Sequence, residues 1–464
     1  MVSIESNGAS TDGSSNGGDK EKKPSALASL TDEERVHLSR NIVPNYMGFL
    51  DRGKVPEHVV SQVVARARES GLVEYNDGME LSDSDRGFFM VDGDQRQFAL
   101  VLPGRDTANR IGASILGVHT DSPHFDLRVG DPISEEPEGA VFGTKPYGGV
   151  WLHGHLDTDV DVIGVFPGKT IVVPGTFGDR GIHITRKGLI ETNAKFETAF
   201  PHDMFKVVTG IKDKAALLAF LAAQGFVDGD FSRGSWYVVP AANSRLNGNL
   251  ITGYSHDDRA CVYTTLEATL ASADRKFPLI LYGAAREEIG STGCDSAESG
   301  FFDLAFYRLL MAQGIHERDV SAALALRVLA MSRMLSCDVD IALTSYDKAS
   351  QDEKLAARHD GGLALVLANG GPYQGGGSLA PSHFVNELMA TLDGAGVLYK
   401  CTEMPTKLNS GGGGTIAKFF GARGVPVIDV GVAVANMHGK RSMVHIGDIG
   451  QMVKGYRAFI QRSA

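Results

Sequence analysis

The sequence predicts an α/β protein in which a mostly parallel sheet is flanked by helices and interrupted by a β-rich domain. Three observations predict this fold class. Strand-like and helix-like segments alternate from Gly253 onward, as they do in parallel sheets with helical crossovers. A chain of 464 residues with 43% hydrophobic content can bury a large core. Between 128 and 239 the alternation gives way to short runs with frequent Gly and Pro, which indicates an inserted β-rich domain.

Each element of this fold has its own signal in the sequence. Ordered structure is predicted to begin near Leu30 with two helices, followed by a hairpin over FFMVDGDQRQFALVLPG and a buried strand in ASILGVHTDSP. The insertion contains the strands KTIVVPG, GIHITR and GLIET and the helix DKAALLAFLAAQG. After it come the strands PLILYGAA, CDVDIAL, GLALVLANG and VPVIDVGV and the helices RACVYTTLEATLASA, VSAALALRVLAMSRML, SHFVNELMATLDGAG and GGTIAKFFGARG. We therefore expect 1–25 to be a disordered leader and 26–127 with 240–464 to form the α/β domain.

Composition excludes several classes of protein. The 45 Lys and Arg residues against 56 Asp and Glu give a net charge of −11, which argues against nucleic acid and anionic membranes as partners. The longest apolar run, AALLAFLAA, is far shorter than the roughly 20 residues of a membrane span. Four cysteines without a CxxC pair and a polar start without a secretory segment lead us to expect reduced thiols and a cytoplasmic location.

Acids and histidines lie close to the predicted buried strands. In an open α/β sheet the functional crevice lies at the carboxyl ends of the strands. Candidates collected on this basis are His119, Asp121, Asp257, Asp258, Glu287, Glu288, Asp338, Asp340 and His438. Nitrogen and oxygen donors of this kind suit Zn²⁺, Co²⁺ or Mn²⁺. Two such ions that share a carboxylate can hold and deprotonate a water molecule for hydrolysis.

The spacing within two pairs indicates what each residue can do. Residues two apart on an extended chain point the same way, so Asp121 can accept the ring N–H of His119 and fix its tautomer. Adjacent Glu287 and Glu288 point in different directions, so one can bind metal while the other faces the water as a base. Each signal also has a structural alternative, because the Asp-Asp pair can be a helix N-cap and a single histidine is commonly a hydrogen-bonded core residue.

Five motifs together resemble a known family. HTDSP, YGGVW, DDR, EEIGS and NMH occur in the order seen in aspartyl aminopeptidases, and the resemblance covers nearly all of the ordered chain. It implies a two-metal cytosolic exopeptidase that acts on peptides. It also implies that the insertion over 128–239 is a dimerisation domain and that the chains assemble into a dodecamer.

The resemblance also implies a role for each candidate residue. The implied metal ligands are His119, Asp257, Glu288, Asp338 and His438, with Asp257 as the bridging carboxylate. Glu287 is the implied general base, and Asp121 orients the first histidine. We prefer Asp338 to Asp340 because of its Ser-Cys-Asp context. The expected cofactor is two divalent ions per chain, zinc first, with cobalt and manganese as alternatives.

The sequence departs from the family pattern at positions expected to meet the substrate. The family's histidine-containing run after the last acidic ligand is replaced by DVDIALTSYD. Asn193 or a neighbour stands where the insertion should carry a histidine, and Asp360 stands where a lysine is usual. The run HGKRS replaces HSxRE after the final histidine. An acidic substrate side chain needs cationic or donor partners, so we expect a weak or lost preference for N-terminal Asp or Glu.

Three further features receive a more local interpretation. Cys261, Cys294 and Cys337 are predicted to be small buried hydrophobic residues. The run SGGGGT, which opens a helix, is predicted to be a loop that contacts the substrate backbone or an oxyanion. Tyr147 and Trp151 are predicted to pack at the domain junction.

The predicted function is that of a dinuclear metal-dependent hydrolase. It would release an N-terminal amino acid from a peptide or cleave a related small amide. The alternatives are a specialised metabolite amide hydrolase and a non-catalytic relative that keeps the fold for assembly. Retention of all five implied ligands and Glu287 favours the enzyme, since a degenerate site has no physical reason to keep six costly polar groups converged.

Overall fold

The computed structural model describes most of the chain. The described residues are 24–76, 79, 86–178, 204–227, 230–346, 348–369, 377–403 and 414–463. The leader predicted over 1–25 lies outside these ranges except for its last two residues. The predicted strands GIHITR and GLIET and the residue Asn193 also lie outside them.

Helices and a hairpin precede the insertion as predicted, but the first of the two predicted helices is divided into two in the structure. The helices are α1 (Asp32–His37), α2 (Val43–Arg52), α3 (Pro56–Glu69) and the short α4 (Ala108–Ile111), and a π-helical turn (Leu38–Ile42) joins α1 to α2. The strands are β1 (Val73–Glu74), β2 (Phe88–Val91), β3 (Phe98–Leu102) and β4 (Ser114–His119). A capping box starts α1, because Thr31 and Glu34 each accept the backbone N–H of the other.

A second, antiparallel sheet follows and forms the β-rich domain. Its strands are β5 (His124–Leu127), β6 (Ile133–Glu136), β7 (Gly139–Tyr147), β8 (Thr158–Phe166), β9 (Lys169–Phe177), β10 (Lys206–Val208) and β11 (Ser235–Pro240). The strand β10 pairs with both β9 and β7, so six strands close into a ring. One helix, α5 (Lys214–Ala223), confirms the helix predicted here, and the domain has its own aromatic core around Phe125 and Phe142. The exact boundaries at 128 and 239 stay a prediction.

The rest of the chain returns to alternating strands and helices. The strands are β12 (Arg245–Asn247), β13 (Leu250–Gly253), β14 (Leu279–Ala284), β15 (Arg333–Ser336), β16 (Asp340–Ile341), β17 (Leu363–Val366), β18 (Tyr399–Thr402), β19 (Val427–Gly431), β20 (Ala433–Ala435) and β21 (Ser442–His445). The helices are α6 (His256–Ala271), α7 (Phe301–Ala312), α8 (Ala322–Met331), α9 (Ser382–Gly394), α10 (Ala417–Ala422) and α11 (Ile446–Gln461), with a 3₁₀ turn at Glu287–Ile289.

The main sheet is mixed but mostly parallel, which confirms the predicted fold class. Its order is β1-β2-β3-β14-β4-β15-β19-β17-β18, and the central strands β14, β4, β15 and β19 are parallel to one another. Both faces are covered: Leu116 packs in the core that includes α6 and α11, whereas neighbouring Ile115 packs in the core that includes α7 and α8. The carboxyl ends of β4, β14 and β15 therefore meet at one edge. Within the described ranges, no helix has the length and apolarity to cross a membrane.

One predicted strand was wrong in position. The run CDVDIAL was expected to pair as a strand, but β15 ends at Ser336 and only Asp340–Ile341 pair further on. That pair belongs to a small third sheet with the order β12-β13-β21-β20-β16. The error arose because the apolar residues of Arg333–Ser336 continue the helical spacing of α8. No glycine or proline separates that strand from the helix, so nothing in the sequence indicated that the helix ends before it. The chain between the two strands is thereby free to present Asp338 at the sheet edge.

Candidate metal centre

Six predicted site residues converge from loops of two different sheets. His119 ends β4, Glu287 and Glu288 form the turn after β14, and Asp338 follows β15, all at the same edge of the main sheet. Asp257 starts α6 directly after β13, and His438 lies between β20 and β21. The small third sheet therefore brings two of the residues to the edge of the large one.

The first group of candidate ligands surrounds His119. Potential ligand atoms of His119, Asp257, Asp258 and Asp338 all lie within 4.8 Å of one another. His119 Nε2 is 3.0 Å from Asp257 Oδ1 and 3.7 Å from Asp338 Oδ1. On the other side of the ring, His119 Nδ1 lies 3.5 Å from Asp121 Oδ1. The ring is thus held with one nitrogen toward the group and the other toward Asp121.

The second group surrounds His438 and shares Asp257 with the first. Potential ligand atoms of Asp257, Glu288 and His438 again lie within 4.8 Å of one another. His438 Nε2 is 3.2 Å from Asp257 Oδ2 and 3.4 Å from Glu288 Oε2, and its Nδ1 is 3.1 Å from the carbonyl oxygen of Gly149. The two oxygens of Asp257 therefore face two different histidines, which is the arrangement expected of a bridging carboxylate.

Asp121 supports the site without belonging to either group. Its carboxylate accepts the backbone N–H of Glu287 at 3.1 Å and of Glu288 at 3.2 Å, and the hydroxyl of Tyr147 at 3.0 Å. Glu287 itself is half-buried and groups with His119 and Glu288. One buried aspartate thus connects the ring of His119 to the turn that carries both glutamates.

The structure separates Asp338 from Asp340. Asp338 lies in the first group, whereas Asp340 accepts the hydroxyl of Thr402 at 3.0 Å and the backbone N–H of Ile341 at 2.8 Å. Asp340 belongs to none of the three candidate groups found in the described ranges. Asp258 is in the first group, and its Oδ2 accepts the backbone N–H of His119 at 3.2 Å, so it also fixes the end of β4.

The electrostatics of the cluster are those of crowded buried carboxyls. Burial raises the pKa of Glu287, Glu288, Asp258 and Asp338, and neighbouring carboxylates raise it further. Burial alone would lower the pKa of His119, but the adjacent carboxylates of Asp121 and Asp257 raise it well above the ordinary value. Burial opposes ionisation of Asp257 as well, yet the two histidines hold its pKa far below the usual range. A divalent cation would relieve this crowding of negative charge.

The residues present fit a metal ion by a second criterion. Within the part of the chain that the structure describes, the buried atoms His119 Nε2, Asp257 Oδ1 and Glu288 Oε1 have no hydrogen bond of acceptable geometry. Buried polar atoms are normally satisfied, so such atoms converging in one place need another partner. Histidine nitrogens and carboxylate oxygens are a donor set that zinc accepts.

Unusual backbone conformations flank the candidate ligands. Ser255, Arg286, Asn436 and His438 have φ angles of 67°, 60°, 52° and 63°, in the left-handed region that side chains other than glycine rarely adopt. Arg286 immediately precedes the two glutamates, and Ser255 lies two residues before Asp257. Strain of this kind persists where the surrounding structure fixes it and is concentrated at functional sites.

Several local predictions had mixed outcomes. Cys261 and Cys337 are buried as predicted, but Cys294 is exposed. Trp151 was predicted to pack at the domain junction, yet it is 53% exposed because the chain turns there into a short 3₁₀ segment at the surface. Tyr147 was also predicted to pack at the domain junction, but its hydroxyl donates to Asp121. The YGGVW motif did not indicate this hydrogen bond. Most of SGGGGT lies outside the described residues.

Asp360, at the position where the resemblance implied a lysine, contacts the N-terminal segment. Its Oδ1 accepts the backbone N–H of Leu27 at 2.8 Å and lies 3.4 Å from His445 Nδ1. It belongs to none of the candidate metal groups of the described chain. The Asp360 carboxylate is therefore engaged with the backbone of the N-terminal segment.

Sequence comparisons with known proteins all match this chain to one family. The family model described as "Aminopeptidase I zinc metalloprotease (M18)" matches residues 49–186 and 194–460. The chain is 27% identical to "Probable M18 family aminopeptidase 1" of Borreliella afzelii, covering 94% of this chain and 99% of that protein. It is 28% identical to the Thermotoga maritima protein of the same name, covering 90% and 95%.

Solved structures agree with these sequence relatives. The crystal structure of the M18 aminopeptidase of Thermotoga maritima matches with a TM-score of 0.84 and 26% identity, covering 96% of this chain and all of the other. The mApe1 dodecamer of S. cerevisiae matches with a TM-score of 0.72 at 17% identity, covering 91% and 97%, which shows the fold alone. The resemblance to aspartyl aminopeptidases is confirmed at the family level. Because the family model spans most of its length, the chain belongs to the M18 family of metal-dependent aminopeptidases.

Proposed function

We propose that this aminopeptidase works with two divalent ions, zinc first and cobalt or manganese as alternatives. His119, Asp257 and Asp338 would hold one ion, and Asp257, Glu288 and His438 the other. The observation that carries the proposal is the shared carboxylate: Asp257 Oδ1 lies 3.0 Å from one histidine and Oδ2 lies 3.2 Å from the other. When bound, such ions polarise the scissile carbonyl and stabilise negative charge on its oxygen.

The chain's own residues then move the proton and hold the geometry. Glu287 would accept a proton from the water that attacks the carbonyl carbon and pass it to the leaving amine. Burial and neighbouring carboxylates raise the pKa of Glu287, so this base binds a proton more readily than an exposed carboxylate does. Asp121 would keep the Nδ1 proton of His119 on its own side, which leaves Nε2 directed at the ligand group.

Glu287→Gln tests the assignment of the base. The amide keeps the shape of the side chain but cannot accept the proton, so we expect hydrolysis of an unblocked dipeptide amide to be lost while zinc content is unchanged. The same peptide with an acetylated N-terminus serves as the control substrate, and the wild-type enzyme should not cleave it. A variant as active as wild type would exclude Glu287 as the base. Cleavage of the acetylated peptide would favour a more general amide hydrolase, and no cleavage of any substrate by the wild type would favour a non-catalytic relative.

We propose further that the enzyme has little preference for an acidic N-terminal residue. An acidic side chain bound near the cluster of buried carboxyls needs a nearby cation, and the position of the family lysine is occupied by Asp360. Values of kcat/KM for Asp-, Ala- and Arg-amide substrates should therefore lie close together or favour the neutral one. A strong lead for the Asp substrate would contradict this.

We also propose that the chain self-associates through the β-rich domain over 128–239, and that a dodecamer is the complete assembly. The support among the described residues is a set of exposed apolar side chains on that domain: Val172, Phe220 and Val227 are 40%, 41% and 61% exposed. Exposed apolar surface of this kind marks sites of protein association. The assembly named for the yeast relative is a dodecamer.

A further inference from the structure

Arg259 is a fully buried arginine two residues after Asp257, and its side chain contacts the segment that follows His119. It is 0% exposed. Its Nε donates to the carbonyl oxygen of Gly53 at 2.6 Å, and its Nη1 donates to the carbonyl oxygen of Asp121 and to Ser122 Oγ, both at 3.0 Å. Its Nη2 has no hydrogen-bond partner among the described residues. The buried guanidinium is thus held by backbone carbonyls and a hydroxyl.

These contacts connect two of the segments that carry candidate ligands. Ser122 Oγ, which accepts from Arg259, donates in turn to the carbonyl oxygen of Asp257 at 2.5 Å. The guanidinium therefore links the chain after His119 to the residue that both candidate groups share. Its contact with Gly53 at the end of α2 anchors the link to the body of the protein.

Electrostatics give the same position a second role. Burying a charged group is costly unless charges and hydrogen bonds nearby compensate it. The carboxylates of Asp121, Asp257 and Asp258 all attract this cation. The buried guanidinium therefore balances part of the negative charge of these carboxylates. Its N–H groups are also held in one plane at fixed angles, so it binds three acceptors in a fixed arrangement, which a lysine ammonium cannot do.

We propose that Arg259 is a positioning residue of the metal centre: it fixes the spacing between the segment 119–122 and Asp257 and so sets the affinity of both metal sites. Its hydrogen bonds go to Gly53, Asp121 and Ser122 and not to the side chain of a proposed metal ligand. The inference rests on the proposed two-metal function and adds a residue to which the sequence motif DDR had given no role.

Two variants and one control test the proposal by zinc affinity, measured on the full chain by competition with a chelating dye. Arg259→Lys keeps a positive charge but loses the fork, and we expect zinc affinity to fall by about 10- to 100-fold, as is typical when groups that orient ligands are changed. Ser122→Ala leaves the guanidinium in place but removes the link to Asp257, and we expect a smaller loss of the same sign. Arg462→Lys alters another buried arginine, which donates to Ser114 Oγ at the opposite end of β4, and should lower thermal stability without changing zinc affinity.

The outcomes separate this inference from the function on which it rests. If Arg259→Lys and Ser122→Ala both bind zinc as tightly as the wild type does, the positioning role is overturned. The proposed function then still stands, because the wild type binds zinc. A wild-type chain that binds no zinc overturns both. If Arg259→Lys does not fold, Ser122→Ala decides alone. A loss in Arg462→Lys equal to that in Arg259→Lys would assign the effect to general stability and overturn the proposal.

Discussion

At the scale of single residues, the site depends on one buried aspartate that belongs to both groups of candidate ligands. Asp257 is held on both sides by histidines, and its low pKa keeps it ionised although it is buried. The sequence placed this residue near a strand end, but the bridging role came from family resemblance. The small third sheet determines which oxygen of Asp257 faces which histidine. No pattern in the sequence predicts this orientation.

Asp338 and Asp340 form a matched pair for mutation, since they are two residues apart but make different contacts. Asp338→Asn removes a charged oxygen from the first ligand group, so we expect zinc content to fall and kcat/KM to drop by more than the roughly 10- to 100-fold typical of residues that only orient ligands. Asp340→Asn leaves that group untouched, because this side chain bonds to Thr402. Elemental analysis with peptide hydrolysis checks both, and a larger loss in Asp340→Asn would reverse the assignment.

Metal binding should release protons and weaken as the pH falls. In the metal-free protein the pKa of Glu288 is raised by burial, and the pKa of His119 is raised by Asp121 and Asp257 against the effect of burial. A raised pKa means that the group is more protonated at a given pH, and zinc must displace that proton. Apparent affinity should fall from about pH 8 to about pH 6, and calorimetry in two buffers of different ionisation enthalpy should detect the released protons. Affinity independent of pH and buffer would contradict this.

At the scale of elements, the turn after β14 is the part that must be held most firmly. Arg286, in a left-handed conformation, binds Asp295, and Arg96 binds the same aspartate at 3.1 Å and Glu57 at 3.0 Å. Asp295 is almost fully buried. This ion network joins the loop that carries Glu287 to the β2–β3 hairpin and to α3.

Asp295→Asn should therefore loosen the turn that carries Glu287, the proposed base, as well as the fold. Removing one partner of a buried ion network typically costs about 3 to 5 kcal/mol, and here Arg286 and Arg96 both lose their contact with the same carboxylate, although Arg96 keeps Glu57. We expect a lower midpoint of urea unfolding together with a lower kcat. Asp274→Asn, in the exposed pair with Arg105, should change the free energy of unfolding by about 1 kcal/mol or less. Equal effects of the two substitutions would contradict the role of the network.

Periodicity predicted the elements of the main sheet better than those of the small one. Long apolar strands such as β14 and long helices such as α6 were located correctly, and the strand-end rule found His119, Glu288 and Asp338 because parallel strands end at one edge. The small third sheet has strands of only two to four residues, too short to show a period of two. Its strands nevertheless place the other two candidate ligands. Contacts such as that of Arg259 with Gly53 join residues distant in sequence and have no local signal.

At the scale of the whole molecule, the described part of the β-rich domain carries exposed apolar side chains. The helix α5 exposes Phe220, and β9 exposes Val172. The same domain contributes Tyr147 and Gly149 to the surroundings of the metal centre. Assembly through this domain would therefore fix parts of the protein that contact the site.

Phe220→Asp tests the assembly. Burying an unpaired carboxylate in an interface is strongly unfavourable, so we expect light scattering to show a shift from a multiple of the 49.5 kDa chain toward smaller species. Leu326→Asp, at an exposed residue of α8, is the matched control and should leave the mass unchanged. A wild-type protein of one chain, or equal masses for all three proteins, would contradict the proposed assembly surface.

The number of zinc ions per chain tests the central claim most directly. Elemental analysis of the purified full chain should find about two ions in the wild type, the number that a shared carboxylate between two histidine groups requires. The count should fall to about one in His438→Ala, which removes a ligand from the second group only, and toward none in Asp257→Ala, which removes the ligand common to both. One ion or none in the wild type, or an unchanged count in Asp257→Ala, would contradict a dinuclear centre.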